Sequence, residues 1–289
     1  MGRQATSLES IHRFSALARP LDPAWPTNLA VLVLMPVAAA VLAVFGPGTP
    51  GLADTSRLWA AASGAGMVLG TWALARELAP DDQRAAFLAI ALGIPALVLV
   101  PSASLVLLFT TLALARMVSR SVGLPARVLD GVAVLLLTGW SMASTRSLGV
   151  GLVAAAAFIL DAVLPGGLRR QWGFAALCLA LVGVLAVRQE GVTVSVASEP
   201  AFLVAQAAAA VVFLYIVLRA RALRATGDVG AEPLSARRVR WGMSVALAMA
   251  IQAPLMGEGP AGTAVLIWAS IVGVSVSGVT PPGSRPDGA

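Results

Sequence analysis

Ten apolar runs, each close to the length that a membrane-crossing helix needs, divide this 289-residue sequence. A helix that crosses a hydrocarbon core of about 30 Å needs about 20 apolar residues. The third and fourth runs are short and join at Pro101, so they form either two spans or a re-entrant pair, and we favour two spans. The runs occupy approximately residues 28–45, 57–75, 84–100, 102–118, 127–144, 147–164, 171–188, 200–218, 238–256 and 260–279.

The composition excludes the soluble classes. Hydrophobic residues make up 58% of the chain and charged residues 12%, whereas an average soluble domain carries about 25% charged residues. The single cysteine and single histidine exclude a disulfide framework and the usual haem and zinc sites, so we expect no metal and no cofactor. The sequence therefore predicts an all-α, polytopic integral membrane protein, built as a bundle of about ten transmembrane helices.

The arginines predict the orientation of this bundle. All 20 basic residues are arginines, and the formal net charge is +6. With the N-terminus inside, only Arg57, Arg146 and Arg188 fall outside, and the other seventeen fall on the cytoplasmic side. Because positive charge accumulates in cytoplasmic loops, we expect both termini in the cytoplasm and the protein in the inner membrane. The basic excess then records membrane orientation, and we expect lipid rather than nucleic acid as its partner.

Three segments follow from this layout. Residues 1–26 form a cytoplasmic N-terminal segment with a short amphipathic interfacial helix, predicted from apolar residues at helical spacing. Residues 27–279 form the ten-helix domain, and residues 280–289, rich in proline and glycine, form a disordered tail. Six tryptophans fall near predicted helix ends, where indole prefers the headgroup boundary; they are Trp25, Trp59, Trp72, Trp140, Trp172 and Trp241.

The densest acidic cluster is Glu77, Asp81 and Asp82, flanked by arginines in a cytoplasmic loop. It reads either as a site for a cation or a basic group, or as a structural feature in which an aspartate caps the next helix and arginines balance the charge. We favour the structural interpretation. The helically spaced, paired aspartate motifs of membrane prenyltransferases are missing.

Asp130 and Asp161 lie inside apolar runs, about one turn from the cytoplasmic ends. Ionisable groups at that depth are costly and often functional. The helix dipole opposes Asp161, and Arg127, Arg169 and Arg170 are the nearby arginines that would compensate it. We favour structural ion pairs, with proton or cation coupling as the alternative.

Polar and aromatic groups near mid-membrane are Gln206 and Gln252, together with Tyr215 and Trp268. Such groups either hydrogen-bond between helices or line a cavity. The first interpretation is favoured for the glutamines, and the second makes these four residues a substrate cavity.

These features leave three functions open. Ten helices in about 290 residues resemble the drug/metabolite transporter superfamily in size and helix count, which implies a secondary transporter of a small metabolite. The alternative is a non-catalytic membrane subunit or assembly factor with a membrane-protein partner. An intramembrane enzyme acting on a lipid or polyprenyl substrate ranks third, and no residue is assigned a catalytic role.

Overall fold

The computed structural model of the chain describes residues 14–45, 54–100, 102–188, 200–221, 223–229, 233–256 and 262–279. Within these residues the chain forms ten α-helices and one isolated bridge between Thr226 and Pro233. The helices are α1 Pro26–Phe45, α2 Asp54–Leu78, α3 Gln83–Leu99, α4 Leu105–Ser119, α5 Val128–Thr145, α6 Leu148–Val163, α7 Gln171–Arg188, α8 Pro200–Arg219, α9 Ala236–Met256 and α10 Val265–Val279. Each helix lies on one of the predicted apolar runs, so the all-α prediction is confirmed.

Five of these helices, α1, α2, α5, α7 and α8, are long and apolar enough to cross a membrane. The chain is therefore a multi-pass membrane protein. Most of the predicted interfacial helix and the whole of the tail at 280–289 lie outside the described residues. Residues 15–18, which the prediction places in that helix, are not helical.

The shortest helices are the most enclosed. Helices α4 and α10 have 15 residues each, and most of their side chains are buried. Helix α4 packs against α2, α5, α6 and α9, and α10 packs against α2, α3 and α8. By contrast, α8 fully buries only Gln206, Phe213 and Val217 among its 20 residues, and most of the others are exposed.

Glycines allow several of these helices to meet backbone to backbone. A Cβ atom on Gly273 of α10 would lie 2.8 Å from the Ala89 amide nitrogen and 2.9 Å from the Ala85 carbonyl oxygen of α3. A Cβ atom on Gly64 of α2 would lie 2.5 Å from the Ala38 carbonyl oxygen of α1. Small residues at such crossings are the usual basis of helix association in membranes.

Tryptophan burial separates two groups. Trp25, Trp59, Trp140, Trp172 and Trp241 are 41% to 73% exposed, as the predicted boundary positions require. Trp72 is only 7% exposed, and Trp268 is 6% exposed. Trp72 was predicted to lie at the headgroup boundary, but its ring is enclosed by the protein.

Candidate functional site

One end of the bundle carries a hydrogen-bonded layer of loops, which we call the polar end. It comprises the segment before α1 and the α2–α3, α4–α5, α6–α7 and α8–α9 connections. Asp81 accepts from the Arg224 and Ala225 amides, at 2.6 to 3.1 Å. The Val229 amide donates to the Val122 carbonyl at 3.0 Å. All four connections are those that the arginine count predicts to lie on one side.

Asp161, on α6, is the most deeply buried carboxylate of the polar end, with 0% of its side chain exposed. Its Oδ1 atom accepts from Arg120 Nε and Nη2 at 3.0 and 2.9 Å, and from Arg238 Nη1 at 2.8 Å. Its Oδ2 atom accepts from Gln171 Nε2 at 2.8 Å. The network therefore joins the ends of α4, α6, α7 and α9.

The two arginines of this network are also bonded to backbone carbonyls. Arg238 donates to the carbonyls of Val118 and Pro165, and Arg120 donates to that of Gly166. The compensating charges for Asp161 are thus Arg120 and Arg238, and the sequence prediction of Arg127, Arg169 or Arg170 is wrong. Arg238 lies in the first turn of α9, and the signal that the sequence offered is its position at the start of the ninth apolar run.

Glu77, near the end of α2, forms a second buried network. Its side chain is 1% exposed, and Oε1 accepts from Arg116 Nε of α4 at 2.8 Å. Arg19 Nη1, from the segment before α1, lies 3.8 Å from the same oxygen. Arg116 also donates to the Leu17 carbonyl at 2.8 Å. This network ties α2, α4 and the N-terminal segment together.

Asp130, in the first turn of α5, binds the same N-terminal segment. Its Oδ1 atom accepts from Ser15 Oγ at 2.5 Å, and its Oδ2 atom accepts from the Ala16 amide at 2.9 Å. The Arg127 amide also donates to Oδ2, at 2.7 Å. Because Asp130 and Asp161 have separate sets of partners, no shared acid–base pair is seen among their described contacts.

The acidic cluster of the sequence is divided among different partners. Glu77 pairs with Arg116, and Asp81 accepts from the α8–α9 loop. Asp82 caps α3 by accepting from the Arg84 amide at 2.9 Å, and it also contacts the Ser277 hydroxyl. Among the described residues, no three His, Cys, Asp or Glu side chains are placed to hold a metal ion.

Two of the four residues predicted to line a substrate cavity, Gln252 and Tyr215, make other contacts. Gln252 Oε1 accepts from Ser147 Oγ at 2.5 Å, and a Cβ atom on Gly149 would come within 2.6 Å of that oxygen. Gln252 is thus packed into the contact between α6 and α9. Tyr215 is 51% exposed, and its ring lies under the Arg219 guanidinium, 4.9 Å from the centroid.

The other two residues, Gln206 and Trp268, remain inside the bundle, together with Trp72. All three are more than nine-tenths buried, and Gln206 Nε2, Trp268 Nε1 and Trp72 Nε1 have no hydrogen-bond partner among the residues that the structure describes. They lie on α8, α10 and α2, and α10 packs against both of the others. Sequence reasoning missed Trp72, since a tryptophan near a helix end is typical of the headgroup boundary.

The helix register gives the depth of each of these three donors. Helices α8 and α10 both end at the polar end, and a Cβ atom on Gly278 would lie 2.9 Å from Ile216 Cδ1. Ten residues back along each helix, about 15 Å, stand Trp268 and Gln206. Ser270 Oγ lies 3.4 Å from the carbonyl oxygen of Thr71, the neighbour of Trp72. Gln206 and Trp268 therefore lie at a similar depth, about half a bilayer core from the polar end. Trp72 is six residues from the end of α2 and so lies nearer that end, at about 9 Å.

Comparison with protein-family models, with curated proteins and with solved structures finds no match for this chain.

Proposed function

We propose that this protein is a secondary carrier for a small solute that presents hydrogen-bond acceptors. The observation that carries the proposal is the burial of three N–H donors, Gln206 Nε2, Trp268 Nε1 and Trp72 Nε1, which have no acceptor in the described chain. In a membrane interior an unsatisfied polar group costs several kcal/mol. A solute that supplies carbonyl, carboxylate or hydroxyl oxygens at that depth removes the cost and gains affinity.

The Asp161 network fits this proposal as a closure of the polar end. It holds α4 to α6 and α9 through a carboxylate shared by two guanidinium groups. Ion pairs between buried charges add little net stability relative to apolar contacts, because both charges lose their hydration. Contacts of this kind can therefore be exchanged for water when an end opens, which alternating access requires.

The polar end faces the cytoplasm in this proposal, and the bilayer is the inner membrane. The support is the distribution of charge: seventeen of the 20 arginines fall on the side that includes the polar-end loops. Both chain termini then lie on the cytoplasmic side, and ten helices cross the bilayer.

The test begins with ligand detection on the full-length protein in detergent. Thermal unfolding is measured across a panel of sugars, amino acids, organic acids and nucleosides. Any solute that raises the unfolding temperature is then followed by counterflow in liposomes that contain the protein. We expect at least one solute to be both stabilising and transported.

Trp268→Phe keeps an aromatic ring and removes the N–H donor, so it directly tests the role of this buried donor. We expect it to lower solute affinity about tenfold, the usual scale for leaving a ligand acceptor without its donor. The matched control is Trp140→Phe, since Trp140 is 62% exposed on α5. Unchanged transport in Trp268→Phe, or no transported solute across the panel, contradicts the proposal.

A non-catalytic membrane subunit is the second candidate. It is favoured by Gln252, whose side chain fills a contact between α6 and α9, and by the backbone contacts at Gly273 and Gly64. A core of this type suits a protein whose role is to pack against others. Copurification of a stoichiometric membrane partner, with no solute response in either assay, supports this alternative over transport.

A further inference from the structure

A cavity of about 390 Å³ opens where the polar end meets the start of α5 and α7. Its walls are Leu124, Pro125, Arg127, Val128 and Arg170. Three of these side chains are apolar, two are arginines and none is acidic. The cavity therefore combines positive charge with hydrocarbon walls, and none of the three buried donors of the proposed solute site lines it.

The two arginines are available to an anion. Neither the Arg127 nor the Arg170 guanidinium forms an ion pair with a carboxylate among the described residues. Arg170 Nη2 donates to the Ala126 carbonyl, which fixes the guanidinium beside the cavity. The first residues of α5 and α7 stand at the same place, and the positive ends of their helix dipoles add to the field.

The cavity also continues into a surface that faces lipid. Val128, Val132, Leu136 and Trp140 recur every four residues along α5 and are 40% to 68% exposed. Residues at this spacing lie on one side of a helix, so they form an apolar ridge that begins at the cavity wall. Trp172, 51% exposed at the start of α7, is typical of the headgroup level.

We propose that this cavity binds the phosphate of an anionic glycerophospholipid, with an acyl chain along the α5 ridge. Charge complementarity selects the headgroup, since two unpaired arginines favour a lipid with a net negative charge over a zwitterionic one. The apolar walls and the ridge select a lipid over a soluble phosphate, because only a lipid covers both. The site is independent of whether the protein carries a solute.

The test is native mass spectrometry of the full-length protein, titrated with phosphatidylglycerol or with phosphatidylcholine of the same acyl chains. We expect the first bound phosphatidylglycerol to be held more tightly than phosphatidylcholine. In Arg127→Gln/Arg170→Gln this preference falls about twenty-five-fold, since each arginine beside an anionic lipid contributes about fivefold. The matched control is Arg84→Gln, another exposed arginine of the polar end, which keeps the preference.

Three results overturn the site. They are equal affinity of the wild type for the two lipids, an unchanged preference in the double variant, and displacement of bound lipid by millimolar inorganic phosphate. Arg127→Gln alone guards against misfolding, because Arg170 then keeps its bond to the Ala126 carbonyl. We expect this single variant to lose about fivefold and to elute from gel filtration with the wild type.

Discussion

Replacing Asp161 with asparagine is expected to destabilise the folded protein by about 3 to 5 kcal/mol, the range for breaking a buried ion pair from one side. The asparagine side chain has nearly the same volume, so packing changes little. The charge is lost, however, and the Arg120 and Arg238 guanidinium groups stay side by side with no carboxylate between them.

Three features of the structure place this loss of unfolding free energy near the upper end of the range for single substitutions. The Asp161 side chain is 0% exposed, and those of Arg120 and Arg238 are 13% and 6% exposed, so water screens none of the three effectively. Asp161 Oδ1 accepts three guanidinium hydrogen bonds at 2.8 to 3.0 Å. The backbone carbonyls that these arginines also contact lower the cost, because they keep part of each guanidinium bonded.

The matched control is Asp228→Asn, which breaks a short ion pair at the protein surface. Asp228 Oδ1 lies 2.6 Å from Arg19 Nη2, and both side chains are 29% exposed. Exposed pairs contribute about 0 to 1 kcal/mol. Both variants are unfolded in mixed micelles of increasing dodecyl sulfate fraction, and the free energies are compared. Equal losses in the two variants refute the inference that burial makes removal of the Asp161 charge alone costly.

Three further substitutions probe other contacts. Gly273→Ala is expected to lower the free energy of unfolding by about 1 to 3 kcal/mol, because the new Cβ would contact the α3 backbone. The control Gly183→Ala, whose Cβ would have no atom within 4 Å, is expected to change it by less than about 0.5 kcal/mol. Equal unfolding curves for the two variants in micelles contradict this. Asp130→Asn is expected to speed trypsin cleavage after Arg13, which precedes the docked Ser15 and Ala16 in the sequence, by about tenfold, through loss of a charge-assisted bond to the N-terminal segment, as followed on gels; an unchanged rate argues against docking. Gln252→Leu is expected to lower the free energy of unfolding by about 1 kcal/mol in the same micelle assay and to leave any transport intact. Loss of transport in this variant would instead show that Gln252 belongs to the solute site.

Much of the fold was predictable because the local amino-acid composition determines where membrane-crossing helices form. An apolar run of sufficient length has no other stable form in lipid than a helix, so all ten helices lie on runs visible in the sequence. Capping was predictable for the same reason: Asp82 precedes α3 and accepts from its Arg84 amide. These features depend on neighbours within a few residues.

The site was less predictable because its contacts join distant residues. Asp161 and Arg238 are 77 positions apart, and Ser15 and Asp130 are 115 apart. An arginine-rich chain offers many partners for each carboxylate, and the sequence favours those nearest along the chain. Trp72 looks like a boundary residue from its position, yet α10 packs on α2 and the ring is enclosed.

The sequence by itself determined that this protein is helical and multi-pass, and where its helices begin and end, because the bilayer imposes a length and a polarity on each segment. Only the tertiary structure decided which charges pair, that Gln252 fills a helix contact, and that three N–H donors are buried with no acceptor among the described residues. The physical reason is that pairing depends on which helix faces meet. Among helices that are apolar on every side, sequence periodicity carries little information about those faces.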